Sequence, residues 1–284
     1  MVTTRHFVRH PAARGLLSAA HLAPSVAVTA VATALAAGSG GGAAGSALVA
    51  LAVLTGQLSV GWCNDRADLR RDLATGRRDK PLVAGVLRPR TVAVAAGCAL
   101  ALCVPLSLAN GAAAGGAHLT GVAAAWAYNL GVKRTVLSWL PYVVAFGLLP
   151  AFLTLALPGH PWPPAWAVAA SALLGVGAHA ANVLPDIADD LRTGVHGLPQ
   201  RLGVRRARLL AAVPLFAASA VLALGPPGRL GTAGRAGLVV TGALALALAL
   251  PLRAGARSRL PFLAALGLAV LDVALLLLRG SALA

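Results

Sequence analysis

The segment NDRADLRRD at residues 64–72 is the most informative part of this sequence, because NVLPDIADD at residues 182–190 repeats its spacing. In each segment an asparagine is followed by aspartates four and eight positions later. The chain contains no glutamate, and seven of its eight aspartates lie in or just after these two segments. Acids in solvated loops would be spread more evenly and would include glutamate. The two segments therefore need carboxylates for a specific purpose.

Both segments predict a stripe of oxygen-bearing side chains, because residues four apart lie on one face of a helix. The side chains concerned are Asn64, Asp65, Asp68 and Asp72 in the first segment, and Asn182, Asp186 and Asp190 in the second. Pro185 predicts a kink in the second stripe, since proline removes a helical hydrogen bond. If the stripes converge, their carboxylates cannot all stay ionised without cations.

A hard divalent metal fits such a cluster, above all Mg²⁺, which takes oxygen ligands and shares its coordination shell with substrate phosphates. No histidine or cysteine stands at zinc-ligand spacing, so a soft-metal site is disfavoured. The alternative is a solvated network in which the aspartates pair with neighbouring arginines. Two segments of equal spacing on corresponding helices favour the metal site over that network.

The composition excludes an ordinary soluble domain. The 284 residues are 58% hydrophobic and only 11% charged, with a mean hydropathy of +0.79, whereas soluble domains carry about 25% charged residues. The 32 glycines fit helices that pack closely in lipid. A net charge of +16 could indicate nucleic acid, but the distribution of the charge indicates membrane topology, and we expect no nucleic-acid partner.

Apolar runs near membrane-spanning length predict an all-α bundle of nine transmembrane helices in a lipid bilayer. We expect one domain over residues 1–284, with one aspartate segment in each half, about 1–135 and 136–284. The first run also resembles a signal peptide, and the sequence leaves open whether it is cleaved. The runs are 17–37, 44–62, 91–109, 112–130, 136–157, 165–181, 209–225, 236–252 and 261–278.

The basic residues predict the orientation of this bundle. With nine spans, 21 of the 24 lysines and arginines fall on one side. Basic residues mark the cytoplasmic side of membrane proteins. We therefore expect a multi-pass protein of the cell membrane whose N-terminus and aspartate segments are cytoplasmic.

The motifs together resemble the UbiA superfamily of intramembrane prenyltransferases. Residues 64–72 resemble its first aspartate motif, and 186–203 resemble the second. Lys80-Pro81-Leu82 resembles the end of the loop after the first motif, where the family usually has arginine in place of Lys80. Tyr128 followed by Lys133-Arg134 resembles the basic motif after the fourth helix. The resemblance covers nearly the whole chain, and nine helices is the family's number.

This resemblance implies a Mg²⁺-dependent transfer of a polyprenyl group from its diphosphate to a small-molecule acceptor. The catalytic carboxylates implied are Asp68, Asp72, Asp186 and Asp190, and the implied metal ligands add Asn64, Asp65 and Asn182. The implied diphosphate-binding residues are Lys133, Arg134, Arg77, Lys80 and Tyr128. The acceptor, the prenyl length and the oligomeric state are left open.

The same residues are compatible with two other functions. A terpene cyclase of the same superfamily would use the same aspartates, and only the mass of its product would distinguish it. An ion-coupled transporter would place acids near the middle of the bilayer. Here the acids cluster at the cytoplasmic edge, so transport is the least favoured function.

Overall fold

The computed structural model describes residues 11–228, 230–250 and 260–278. Several basic residues that entered the orientation argument lie outside these ranges, namely Arg5, Arg9, Arg229, Arg279 and those within 253–259. The end of the predicted run 236–252 also lies outside the described residues.

Every regular element in the described ranges is a helix, which confirms the all-α prediction. Two short 3₁₀ segments, Val132–Arg134 and Leu184–Asp186, interrupt the α-helices. The α-helices are α1 (Pro11–Ala19), α2 (Leu22–Gly38), α3 (Gly42–Ala74), α4 (Pro89–Leu108), α5 (Ala112–Leu130), α6 (Leu140–Gly147), α7 (Leu149–Leu155), α8 (Ala165–Val183), α9 (Ile187–Arg192), α10 (Leu198–Leu224), α11 (Thr232–Ala249) and α12 (Leu260–Leu278).

Four helical segments of the described chain are long and apolar enough to cross a membrane. A fifth crossing is available if α1 and α2, bent by 61°, count as one broken span. Shorter apolar helical segments lie at Leu140–Leu155, which comprises α6 and α7, and at Gly234–Ala249. The protein is therefore a multi-span membrane protein, while the predicted count of nine crossings is not confirmed. The four long segments are Gly42–Ala74, Pro89–Leu108, Ala165–Arg192 and Leu198–Leu224.

Small residues let the helices of the bundle pack closely. Close packing is expected here because the hydrophobic effect does not drive helices together within lipid. A side chain at Gly175 of α8 would come within 2.5 Å of the carbonyl oxygen of Tyr142 in α6. One at Gly61 of α3 would clash with the carbonyl oxygen of Ala20, beside the α1–α2 bend. These two contacts bring α6 and the bend against the helices that carry the aspartate motifs.

The first aspartate motif lies in the last turns of α3, whereas the other functional segments stand where helices break. Pro185 lies in the 3₁₀ segment between α8 and α9, which matches the kink that the proline predicts. The other 3₁₀ segment, Val132–Arg134, follows α5 and carries Lys133. Within α10, Gly203 adopts a φ of 74° that breaks the helix, a conformation that glycine tolerates without strain. Polar side chains are thus presented at helix ends.

Candidate active site

One cavity of about 380 Å³ gathers most of the residues predicted for the site. Its walls come from the α1–α2 bend, α3, the loop after α3, α5, the 3₁₀ segment at Val132–Arg134, α6 and the α8–α9 junction. The charged side chains lining it are Asp68, Asp186, Asp190, Arg71, Arg77, Lys80 and Lys133. Three anions and four cations therefore share one cavity.

The two aspartate motifs meet at this cavity. Asn64 and Asp68 line it from α3, and Asn182, Asp186 and Asp190 line it from the α8–α9 junction. Three other predicted residues do not line the cavity: Asp72 and Asp65 are buried beside it, and Arg134 is exposed.

Arg71 joins the two motifs directly. Its guanidinium lies 2.9 Å from Asp68 Oδ2 and 3.1 Å from Asp190 Oδ1, and 3.6 Å from Asp72 Oδ1. Such charge-assisted contacts are the stronger kind of hydrogen bond. Because Arg71 is three residues after Asp68, the helix places both on one face. The sequence prediction treated this arginine only as part of a solvated network, and its role as a bridge is visible only in three dimensions.

Lys133 forms the second strong contact inside the cavity. Its ammonium pairs with Asp68, and the residue is only 4% exposed. Burial lowers the pKa of the Lys133 ammonium, and the negative charge of Asp68 opposes that shift. A cation held this way is available to a negatively charged group that enters the cavity.

Two further predicted cations, Lys80 and Arg77, contact acids that do not line the cavity. Lys80 contacts the carboxylate of Asp65, and Arg77 donates to Asp79 at 3.2 Å. That hydrogen bond raises the pKa of the Arg77 guanidinium. Both basic side chains line the cavity from the loop after α3.

The two asparagines of the motifs are oriented by hydrogen bonds. Asn64 Nδ2 donates to Asn129 Oδ1 at 3.0 Å, and Asn129 in turn donates to the carbonyl of Val60 at 3.1 Å. Asn182 Nδ2 lies 3.5 Å from the hydroxyl of Tyr142. Because the nitrogen of each amide is engaged, the oxygen can serve as a cation ligand.

Gln200 supports the second motif and was missed in the sequence analysis. Its Nε2 donates to Asp190 Oδ2 at 2.8 Å, and the side chain is buried. Gln200 lies in the LPQRLG stretch that follows the motif. The resemblance of residues 186–203 to the second motif included this stretch, but it assigned Gln200 no role.

Aromatic rings line the apolar part of the cavity. The chain has only two tyrosines, Tyr128 and Tyr142, and both line it, in edge-to-face contact with centroids 5.2 Å apart. Phe146 extends this wall by stacking on Tyr142. Both tyrosines also pack against His179, which is 1% exposed and lies 3.0 Å from the hydroxyl of Ser138. An apolar chain with a cationic centre would find suitable surroundings here.

The donor set suits Mg²⁺. Carboxylates of Asp68, Asp186 and Asp190 and the amide oxygens of Asn64 and Asn182 are the hard oxygen ligands that this ion takes. As the described side chains stand, no three acids, histidines or cysteines are close enough together to hold a metal. Arg71 and Lys133 occupy Asp68 and Asp190, so an entering metal would compete with these cations.

Comparison with known proteins decides the family. The model of the UbiA prenyltransferase family matches residues 25–260 of this chain, which is most of its length. The chain belongs to the UbiA prenyltransferase family. This confirms the resemblance seen in the motifs, and it makes the protein an enzyme of the prenyl-transferring class. No curated protein matches the chain at a significant level.

Solved structures of UbiA proteins share the fold along almost the whole chain. A UbiA homolog from Archaeoglobus fulgidus bound to GPP and Mg²⁺ is 16% identical, with a TM-score of 0.67 over 94% of this chain and 99% of that one. An apo UbiA homolog from Aeropyrum pernix K1 is 20% identical, with a TM-score of 0.66 over 96% and 99%. A structure described for digeranylgeranylglyceryl phosphate synthase is 14% identical, with a TM-score of 0.71 over 95% and 99%. At these identities the likeness establishes the UbiA fold.

Proposed function

We propose that this UbiA-family protein transfers a polyprenyl group from its diphosphate to a small-molecule acceptor at the membrane, with Mg²⁺ as cofactor. The observation that carries the proposal is the meeting of both aspartate motifs and four cationic side chains in one cavity with an aromatic wall. Two of the similar structures are of a UbiA homolog bound to GPP and Mg²⁺ and to DMAPP and Mg²⁺. Binding of the same class of substrate explains why this cavity contains both charges and an apolar surface.

The charged end of the cavity binds the diphosphate. Arg71, Arg77, Lys80 and Lys133 are the cations that line it, and each can donate to a phosphate oxygen. Mg²⁺, when bound, supplies further neutralisation of the diphosphate charge. The cavity-lining residues that would hold this ion are Asn64, Asp68, Asn182, Asp186 and Asp190. Asp72, buried beside the cavity and 3.6 Å from Arg71, would join them.

The chemistry begins with heterolysis of the allylic carbon–oxygen bond. The electron pair leaves with the diphosphate, where Lys133 and its neighbours stabilise the growing negative charge. Tyr128, Tyr142 and Phe146 present ring faces and edges to the allylic cation, and they exclude water that would otherwise trap it. The acceptor then bonds to the cation and loses a proton to complete the transfer.

The finer architecture belongs to the same proposal. The nine apolar runs of the sequence are nine transmembrane helices in a single domain, and the cavity with both motifs opens toward the cytoplasm. The excess of basic residues around the motifs supports this orientation. The apolar prenyl tail then enters from the bilayer while the diphosphate lies at the cytoplasmic edge.

Binding of a non-hydrolysable substrate tests the proposal without knowledge of the acceptor. Full-length protein in lipid nanodiscs is titrated with geranyl, farnesyl and geranylgeranyl thiolodiphosphates, with Mg²⁺ or with EDTA. We expect saturable binding of at least one analogue that requires Mg²⁺ and is lost in Asp186→Ala. Binding that is unchanged in EDTA, or absent for every chain length, would contradict the proposal.

Turnover is then followed with labelled diphosphates. Candidate acceptors from several chemical classes are added one at a time, and the products are identified by mass. A prenylated acceptor confirms transfer. A cyclised hydrocarbon formed without any acceptor would show cyclase chemistry instead.

A further inference from the structure

Asp65 belongs to the first aspartate motif by sequence, yet its side chain does not line the cavity. Its neighbours Asn64 and Asp68 do line the cavity, while Asp65 is 1% exposed and does not. Successive residues on a helix point in directions about 100° apart, so Asp65 stands about 100° around α3 from Asn64 and about 60° from Asp68. The carboxylate of Asp65 therefore lies behind the cavity wall.

That carboxylate holds two side chains from distant parts of the sequence. Asp65 Oδ1 lies 2.9 Å from Nε2 of His21 at the α1–α2 bend, and it also pairs with the ammonium of Lys80 in the loop after α3. The Lys80 ammonium is 3.2 Å from the same His21 nitrogen. Both His21 and Lys80 line the cavity. One buried acid thus joins a helix bend and a loop at the same part of the wall.

The backbone shows that this arrangement is held by tertiary contacts. His21 has φ 51° and ψ 54°, a left-handed conformation that is unfavourable for a residue with a side chain. Strained residues of this kind persist where the surrounding structure constrains them, and they concentrate at functional sites. Gly61, one helical turn before Asp65, allows the close approach of Ala20 that brings His21 to the acid.

A role for Asp65 as a metal ligand conflicts with this geometry. To reach an ion held by Asp68, the carboxylate of Asp65 would have to leave both Lys80 and His21. Its second oxygen is buried without a hydrogen bond to any described residue, so its charge depends on the contacts of Oδ1. Lys80 is the positive partner that compensates it.

We infer that Asp65 is a positioning residue for the diphosphate subsite: it fixes Lys80 and His21 at the cavity wall as a pair of nitrogen donors, and it does not hold Mg²⁺. The inference rests on the proposed function, because it assigns these donors to the diphosphate of the prenyl substrate. It separates Asp65 from Asp68, although the two acids stand three residues apart in one motif.

The test compares Asp65→Asn with its matched control Asp68→Asn in full-length protein in nanodiscs. Binding of a geranyl thiolodiphosphate is measured at saturating Mg²⁺, and metal binding is measured by electron paramagnetic resonance with Mn²⁺ at saturating analogue. We expect Asp65→Asn to weaken analogue binding at least tenfold while Mn²⁺ affinity stays within twofold of the parent. Asp68→Asn should weaken Mn²⁺ binding at least tenfold.

A double-mutant cycle distinguishes positioning from direct ligation. Lys80→Met alone should weaken analogue binding about as much as Asp65→Asn, and the double variant should be no worse than either single variant. Loss of Mn²⁺ affinity in Asp65→Asn, or additive effects in the double variant, would overturn the inference. If Asp65→Asn does not fold, Lys80→Met and His21→Gln provide the test. Normal analogue binding by both of these variants would overturn the inference. A parent protein that shows no metal-dependent binding would instead count against the proposed function.

Discussion

Arg71→Met should destabilise the protein strongly in the absence of divalent metal. The guanidinium of Arg71 lies within 3.1 Å of carboxylates from both aspartate motifs, which come from α3 and from the α8–α9 junction. Methionine keeps most of the side-chain volume but removes the charge. Asp68 would keep its contact with Lys133, whereas Asp190 would keep only the hydrogen bond from Gln200.

The size of the effect follows from the burial of the ion pairs. Removing one partner of a buried pair typically costs ~3–5 kcal/mol, because a charge is left uncompensated. The Arg71 side chain is 24% exposed, whereas those of Asp68 and Asp190 are 4% and 7% exposed. Partial access of water to Arg71 places the cost at the lower end of that range, ~3 kcal/mol, which is about a hundredfold change in the folding equilibrium.

Mg²⁺ should reverse most of this loss. An ion that binds only the folded state stabilises it by mass action, and in Arg71→Met the carboxylates are free of their competing guanidinium. The measurement is thermal unfolding of purified protein in detergent, with EDTA and with Mg²⁺. The control is Arg70→Met, which removes the same charge from an exposed neighbouring position. If Arg71→Met is no less stable than Arg70→Met in EDTA, or if Mg²⁺ stabilises both equally, the bridging role is refuted.

Four further predictions concern catalysis and topology. Lys133→Ala should lower turnover by ~10²–10³, more than it lowers substrate affinity, because a contact to the leaving group strengthens as charge develops. A rate within a few-fold of the parent would show that Lys133 does not stabilise the leaving group. Because burial lowers the pKa of Lys133, turnover should fall as pH rises through that lowered pKa, and Lys133→Arg should move the fall to higher pH. EDTA should abolish product formation and Mg²⁺ restore it, whereas Asp68→Ala and Asp186→Ala should stay inactive at any Mg²⁺ concentration, as assayed by product mass. Single cysteines at the exposed positions Arg78 and Arg205, in a cysteine-free background, should react with an impermeant thiol reagent only from the cytoplasmic side, and labelling from outside would contradict the proposed orientation.

The helical class of this protein could be predicted from composition. Long apolar runs with few charges satisfy their own backbone hydrogen bonds in lipid most simply by forming helices. The number of membrane crossings was harder to predict from the sequence. The predicted run 136–157 becomes two short helices, α6 and α7, with Pro150 at the start of the second. The described helices support four or five crossings by length and composition. Hydropathy records how apolar a segment is, but not where its helix begins and ends.

Much of the candidate site was also accessible from sequence, because repeated spacing on helices implies shared faces. Asp68, Asp186 and Asp190 were predicted on this basis, and all three line one cavity. Tyr142 and His21 were not predicted, because neither stands in a motif. They reach the cavity through close helix contacts at Gly175 and Gly61, which no local pattern reveals.

The sequence by itself determined the chemistry that this protein offers: carboxylates and amides at two equally spaced sites, basic residues between them, and apolar helices around them. These features depend on residue type and on the fixed geometry of a helix, so they can be read along the chain. Only the tertiary structure decided which partner each charge takes. Asp65 and Asp68 have the same side chain within one motif, yet one turns to Lys80 and His21 behind the wall while the other meets Arg71 and Lys133 inside the cavity. Ion pairing depends on a few ångströms between segments that are far apart in sequence, and that distance is set by how the helices pack.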